Sequence, residues 1–437
     1  MHHPNTSFSM LIVLWAGQFL SKIGCGISGF ALGLYLLGQT GSTSAYSFLL
    51  LAAFLPAVLL APVGGVFADR VDRRLLMATG DCGSSLGIGF VIVMLCLYPH
   101  EDWPIYFGVV ISSLFAALHS PALKASITDL VAEQSYGRAS GLFQLTEASK
   151  YLLAPLLAAF LLERFSITVI LVLDMATYWG AAATALLIGK ALPQKKDTSS
   201  KSCFLKNLTD GFSYIRSNLK VQRLLYITIL ITFFTGILQS LLVPILVQMS
   251  DTITVGVVQS VAGSGMLLSS LLIGTAAMKY NHNRILFFAL FTAGIFYILI
   301  GTGTTVISVA CAAFCLFFTL PFIHSSLEVL FRQNIANQMQ GRIWSIITFV
   351  SQTGMLLAFA IAGPLADHVF NPLMISTYIY ADTFRSIFGT GVSRGSALMV
   401  AVCGTLFLLS SLYTTTEKKK HLRVFYTGLR NSMSSLL

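Results

Sequence analysis

Charge is what this chain has least of. Only 10% of its 437 residues are Asp, Glu, Lys or Arg, against about 25% in a soluble domain. Helices in water keep a polar face, whereas the long runs here are apolar all round, which excludes a water-soluble fold. No Gly-Lys-Ser/Thr phosphate loop occurs, so ATP hydrolysis by this chain is not expected, nor is any cofactor. The longest polar stretch, residues 191–220, is too short for the extramembrane domain of a receptor or scaffold. The eight His residues are scattered rather than clustered at one membrane face, which argues against a membrane enzyme. The seven cysteines lie mostly inside apolar runs. Cys311 and Cys315 share a helix face with no His or carboxylate close by, so all read as small hydrophobes rather than metal ligands.

What is there is hydrophobic: 55% of the residues, with a mean hydropathy of +0.79. A span needs about 20 mostly apolar residues. Such runs lie at roughly 8–37, 44–66, 75–98, 104–124, 139–162 and 166–189, and again at roughly 221–248, 253–278, 284–301, 304–327, 342–365 and 396–416. The first has no basic residue before it and no small-residue cleavage pattern after it, so it reads as a retained helix rather than a signal peptide. The expected class is an all-α polytopic membrane protein with twelve transmembrane helices. Its expected parts are a first six-helix bundle over 1–190, a linker over 191–220, and a second six-helix bundle with a basic tail over 221–437.

The net charge of +10 is not a nucleic-acid signal. All 27 Lys and Arg residues except Lys22, Lys150, Arg164, Arg385 and Arg394 fall in the even-numbered loops, the linker or the tail. By the positive-inside rule this places both termini in the cytoplasm of a multi-pass cell-membrane protein. Transporters with two repeated halves place their substrate path between them.

The loop after the second run reads GGVFADRVDRR over 64–74, a knot of both signs in a chain poor in either. It resembles the signature loop of the major facilitator superfamily, in which Gly65 is followed by Asp69, Arg70 and the basic pair Arg73 and Arg74. The likeness extends along the chain through WAGQFLSKIG (15–24), Tyr35, TGS (40–42), FLP (54–56), LHSPALKASITDLV (118–131), RQNIANQMQGRIWS (332–345), GPLADHVFNPLM (363–374) and GTGVSRG (389–395). It narrows to the macrolide-efflux-like and siderophore-exporter-like drug:proton antiporters. The acid usual in that branch's first helix is Cys25 here, and its helix-five motif survives as Ala154-Pro155.

The resemblance implies the major facilitator fold in two six-helix bundles. It also implies export of an amphipathic, drug-like small molecule by proton antiport and alternating access. Siderophore, peptide or lysolipid export, or a non-transporting scaffold or sensor on the same fold, are the alternatives. The expected partners are a small-molecule substrate, protons and the lipid bilayer, with the chain acting as a monomer. A cytoplasmic gate is expected from Gly65, Asp69, Arg70, Arg73 and Arg74, joined by Glu328, Arg332 and Arg342.

Ionisable groups inside spans are costly and usually functional. Lys22, mid-way along the first run, reads as a contact for an anionic group or a carboxylate's partner. Glu147 and Lys150, one turn apart, read as a proton-coupling pair or a permanent ion pair. Asp174 in the sixth run reads chiefly as a bond between neighbouring helices and otherwise as a further coupling candidate, and His119 and His324 as occupants of similar places in the two halves, by chance, by repeat symmetry or as a proton relay.

Overall fold

A computed structural model describes residues 4–130, 135–187, 213–275, 281–336, 339–375, 388–389, 391 and 394–411. The fold is all helical. In lipid the backbone has no water to bond with, so a spanning segment must satisfy its own N–H and C=O groups. The helices are α1 (Pro4–Thr40), α2 (Thr43–Arg70), α3 (Arg73–Leu97), α4 (Trp103–Leu130), a two-part α5 (Tyr136–Leu152 and Ala154–Arg164) and α6 (Ile167–Leu187). They are followed by α7 (Leu219–Val247), α8 (Thr252–Thr275), α9 (His282–Thr302), α10 (Val306–Asn334), α11 (Gln340–Leu365) and α12 (Arg394–Ser411). Among the described residues 11 helices are long and apolar enough to cross a membrane, and the bent α5 makes a twelfth span. Loops that follow even-numbered helices lie at one end, called here the basic face. The other loops lie at the opposite face.

Helix starts are set by short polar side chains at the water boundary. Asp72 accepts from the Arg74 amide at 3.0 Å to begin α3. Asn218 begins α7 and Asn281 begins α9 in the same way. Thr305 accepts from the Ser308 amide at 3.3 Å to begin α10. Before α8, hydrogen bonds from the Thr254 hydroxyl and amide hold the exposed Asp251 carboxyl below its usual range.

The run 139–162, expected as one helix, is broken at Leu153 with a bend of 44°. Pro155 has no amide hydrogen to give the carbonyl of Tyr151 one turn back, so the ladder opens there. The freed carbonyl faces α8 at Gly263, where a side chain would have no room: a Cβ would lie 2.9 Å from it. Beyond the expected end of α11, the chain continues through a π turn, Ala366–Phe370, into Asn371–Ile375.

Within the first six helices α3 lies on α4 and α6, and α1 lies on α5 and α6. In the second six α7 lies on α11, and α10 on α8 and α9. The two sets meet chiefly where α2 packs on α11 and α5 on α8. Interhelical seams are lined by small residues, as in membranes where apolar contact alone does not favour association. A Cβ at Gly80 would lie 2.7 Å from that of His119, so α3 and α4 are nearly in backbone contact there.

Most of the linker lies outside the described residues, but its end is seated on the second set. Ile215 is buried in that core, and the Tyr214 hydroxyl donates to the Asn334 carbonyl at 3.4 Å. Two exceptions to the loop-charge pattern have local uses. Arg164 lies 4.5 Å over the ring of Phe160. Arg394 donates to the Gly303 carbonyl at 2.8 Å, closing the C-terminus of α9 from the start of α12.

Candidate functional site

Three polar side chains from three helices converge inside the first six-helix set. Gln18 of α1 donates through Nε2 to Oδ2 of Asp81 in α3 at 3.0 Å. His119 of α4 brings Nε2 to 3.7 Å from the other carboxylate oxygen. All three are at most 4% exposed. The close approach at Gly80 is what delivers His119 to this depth. Its Nε2 is buried and has no hydrogen-bond partner. Lys22, one turn beyond Gln18 and only partly buried, is near enough to act on both Asp81 and His119.

Asp81 was not among the residues picked out by sequence reasoning. Its signal was available: a carboxylate amid the small residues of ATGDCGSS (78–85), inside an apolar run.

A second buried carboxylate, Asp174 of α6, accepts from the Ser28 hydroxyl of α1 and from Thr177 Oγ1 at 3.4 Å. Gly24 faces it, so α1 and α6 are nearly touching. This is the helix-to-helix bond read from the sequence. Lys150 lies against Gly26 and Cys25 of α1. Glu147 is exposed, and among the described residues it forms no ion pair with Lys150.

At the opposite face, among the described residues, the carboxylate of Asp367 bridges the two sets. Asp367, in the π turn after α11, accepts from Ser42 Oγ at 2.8 Å, the Ser44 amide at 2.8 Å, Ser44 Oγ at 2.7 Å and the Thr43 amide at 3.3 Å. These are the unbonded donors at the N-terminus of α2, where a negative charge is favoured. Below it Gly363 lies against Ser44 and Ser47, with no room for a Cβ. The large apolar cluster of the second set takes in Leu34, Leu37 and Tyr46 of the first, all at this face. At the basic face, among the described residues, Leu11, Leu14, Leu76, Met77, Ala122, Leu123, Leu130, Ala139 and Ala185 form a cluster of first-set residues alone.

The expected gate residues are placed in part. The backbone of α2 stays helical through Gly65 and Asp69 to Arg70, but their side chains, and that of Arg342, lie outside those described. Arg73 opens α3, and Arg74 lies 3.8 Å from Asp72. Glu328 pairs with Arg332 at 2.6 Å, but within α10, one turn apart and exposed. That pair does not cross between the sets. Arg332 reaches α11 over the ring of Trp344 at 5.9 Å. His119 is buried, whereas His324 is exposed by surface area, so their similar places do not make similar sites.

A sequence profile described as Major Facilitator Superfamily matches residues 14–359. The chain belongs to the Major Facilitator Superfamily. This superfamily member is 26% identical over 365 residues to macrolide efflux protein A of Streptococcus pyogenes, covering 82% of this chain and 89% of that one. It is 24% identical over 431 residues to an uncharacterised MFS-type transporter, YfiS, of Bacillus subtilis, covering 94% and 93%. Among solved structures, the nucleoside transporter NupG superposes with a TM-score of 0.72 at 11% identity, covering 93% of this chain and 99% of that one. The POT family transporter PepTSo does so with a TM-score of 0.71 at 13% identity, covering 97% and 99%. At such identities the two structures speak for the fold alone. The chain is a multi-pass membrane transporter, and its helices take the major facilitator arrangement.

Proposed function

We propose that this transporter exports an amphipathic small molecule of the macrolide type from the cytoplasm in exchange for protons. The two six-helix bundles rock about a central path. The observation that carries this reading is the bridge at Asp367, which joins the bundles at the face away from the basic loops. With both termini in the cytoplasm, that is the outer face, and the state described is one ready to take up cargo from inside. The names of the macrolide efflux relatives support the direction and the cargo class. The bundles are taken as 1–190 and 221–437, with the residues from 213 onward moving with the second. Asp69, Arg70, Arg73 and Arg74 remain our candidates for the inner gate, with Glu328, Arg332 and Arg342 facing them in the closed state.

Accumulation of radiolabelled erythromycin in cells stripped of their own pumps tests the reading. Cells carrying this chain should hold less than control cells, and a protonophore should abolish the difference. Equal accumulation in both strains would reject macrolide export. A difference that survives the protonophore would reject proton exchange.

Orientation has its own test. Reporter fusions near Lys201 and in the tail after Leu422 should read cytoplasmic, and a fusion after Tyr98 external. A periplasmic Lys201 fusion would invert the assignment of faces.

A further inference from the structure

We propose that Asp81, paired with His119, is the group that takes up and releases the exchanged proton. The inference rests on the proton-exchange reading above and adds the site.

A proton carrier inside a membrane protein needs an acceptor held away from lipid, a second group that can share the proton, and a controlled link to water. Asp81 is the acceptor, at 4% exposure between three helices. One carboxylate oxygen is already occupied by Gln18 Nε2 at 3.0 Å, and the other is not given a hydrogen bond by His119, whose Nε2 stops at 3.7 Å. Two facing groups, both buried, thus stand just beyond bonding distance, and the imidazole nitrogen is unsatisfied. A buried polar atom without a partner is costly and calls for a reason. One proton supplies it. Added to the pair, it forms one O–H or N–H bond and lets the two groups close into a charge-assisted or neutral hydrogen bond. Removal breaks that bond and restores the gap. No electrons move, and the only other species is the water that brings or takes the proton.

The charged and titratable groups around the pair are few. From α1 comes Lys22, beside the neutral amide of Gln18, from α4 His119, and from α3 itself Cys82. On α6 the carboxylate Asp174 is turned to Gly24 and Ser28, about half a turn and just over one and a half turns further along α1 than Lys22. Lys22 is the partly exposed member of the cluster. With Asp81 ionised, His119 neutral and Lys22 charged, the cluster is electrically balanced. Each cycle then adds and removes a single unit of charge.

The sealing of α3 to α4 at Gly80 holds together the backbones that carry Asp81 and His119, so only their side chains need move to close or open the gap. Gln18 and Lys22 belong to a different helix, so a shift of α1 alters the surroundings of the pair without pulling it apart. A merely structural role would make Asp81 the acceptor for Gln18 and nothing more. Asn at this position can still accept that bond, which gives a clean separation of the two roles.

The test uses the purified full-length chain. Infrared spectra recorded across a pH titration should show a protonated-carboxyl band that disappears in Asp81→Asn and persists in Asp174→Asn. In His119→Gln its midpoint should move by about one pH unit or more. In liposomes, Asp81→Asn should lose erythromycin efflux driven by a pH gradient yet keep erythromycin exchange with no gradient imposed. Should Asp81→Asn fail to fold, Asp81→Glu takes its place, and its titrating band must shift from that of the unsubstituted chain. A band unaffected by these changes, or gradient-driven efflux retained in Asp81→Asn, overturns the assignment. If the unsubstituted chain shows the Asp81 band but no gradient-driven efflux of any kind, it is the exchange reading that has failed, and the assignment of a transported proton falls with it.

Discussion

The Asp367→Ala variant is expected to open at the outer face. Removing the carboxylate deletes every bond it accepts from Ser42, Thr43 and Ser44, and leaves the first amides of α2 without their anion. Bonds to charged groups contribute about 1.5–3 kcal/mol each when well buried. Asp367 is only partly buried and several of its donors can turn to water, so about 2–3 kcal/mol for the set is reasonable. That moves the balance between closed and open states of this face by about 30- to 150-fold. A cysteine placed at Leu50, which is partly buried against the shared core, reports it. With the exposed Cys96 and Cys311 removed, an impermeant thiol reagent added outside should label Leu50→Cys much faster in the Asp367→Ala background. Asp367→Asn, which keeps an acceptor oxygen, should fall between. Unchanged labelling in both would show that the bridge does not hold the face shut.

A larger loss is expected at a seam that never opens. In Gly87→Val the added Cβ would meet the Gly108 carbonyl oxygen at 2.5 Å and the Ser112 amide nitrogen at 2.6 Å. Both are backbone atoms, so no rotamer change relieves the clash. Overpacking costs about 1–3 kcal/mol where side chains can yield, and the upper end or beyond applies where α3 and α4 must part. The same separation pulls His119 from Asp81 two turns away. We expect little monodisperse protein in detergent and a markedly lower unfolding temperature for what remains. Gly180→Ala is the control: nothing lies within 4 Å of the Cβ it adds, so its yield should match the parent. Equal yields for Gly87→Val and Gly180→Ala would mean that the α3–α4 seam tolerates a gap.

The number and order of the spans could be read directly, because a membrane helix announces itself by length and composition. Ala154-Pro155 was read only as the remnant of a family motif, and the break it makes in α5 also depends on Gly263 of α8 seating at the freed carbonyl. That contact joins residues distant in sequence and leaves no local pattern. Asp367 illustrates the same limit. Its stretch, GPLADHVFNPLM, was legible as a family element, but its use as a cap for α2 lies in residues more than three hundred positions away. Asp81 was legible and passed over, because Gly80, Gly83, Ser84 and Ser85 around it look like an ordinary small-residue packing face. Glu328 and Arg332 show the converse. Their spacing on one helix lets them satisfy each other, so proximity in sequence was not evidence of a contact between bundles.

The bond from Arg394 to the Gly303 carbonyl sets an order of assembly. Its partners are 91 residues apart in the chain. At about 5–20 residues per second of synthesis, the end of α9 waits about 5–18 s before the group that closes it leaves the ribosome. The guanidinium therefore finds its acceptor already in place when it arrives at the face away from the basic loops. The last span is thereby fastened by the third helix of its own bundle. A chain halted anywhere in that interval still has the C-terminal carbonyl of α9 without this donor.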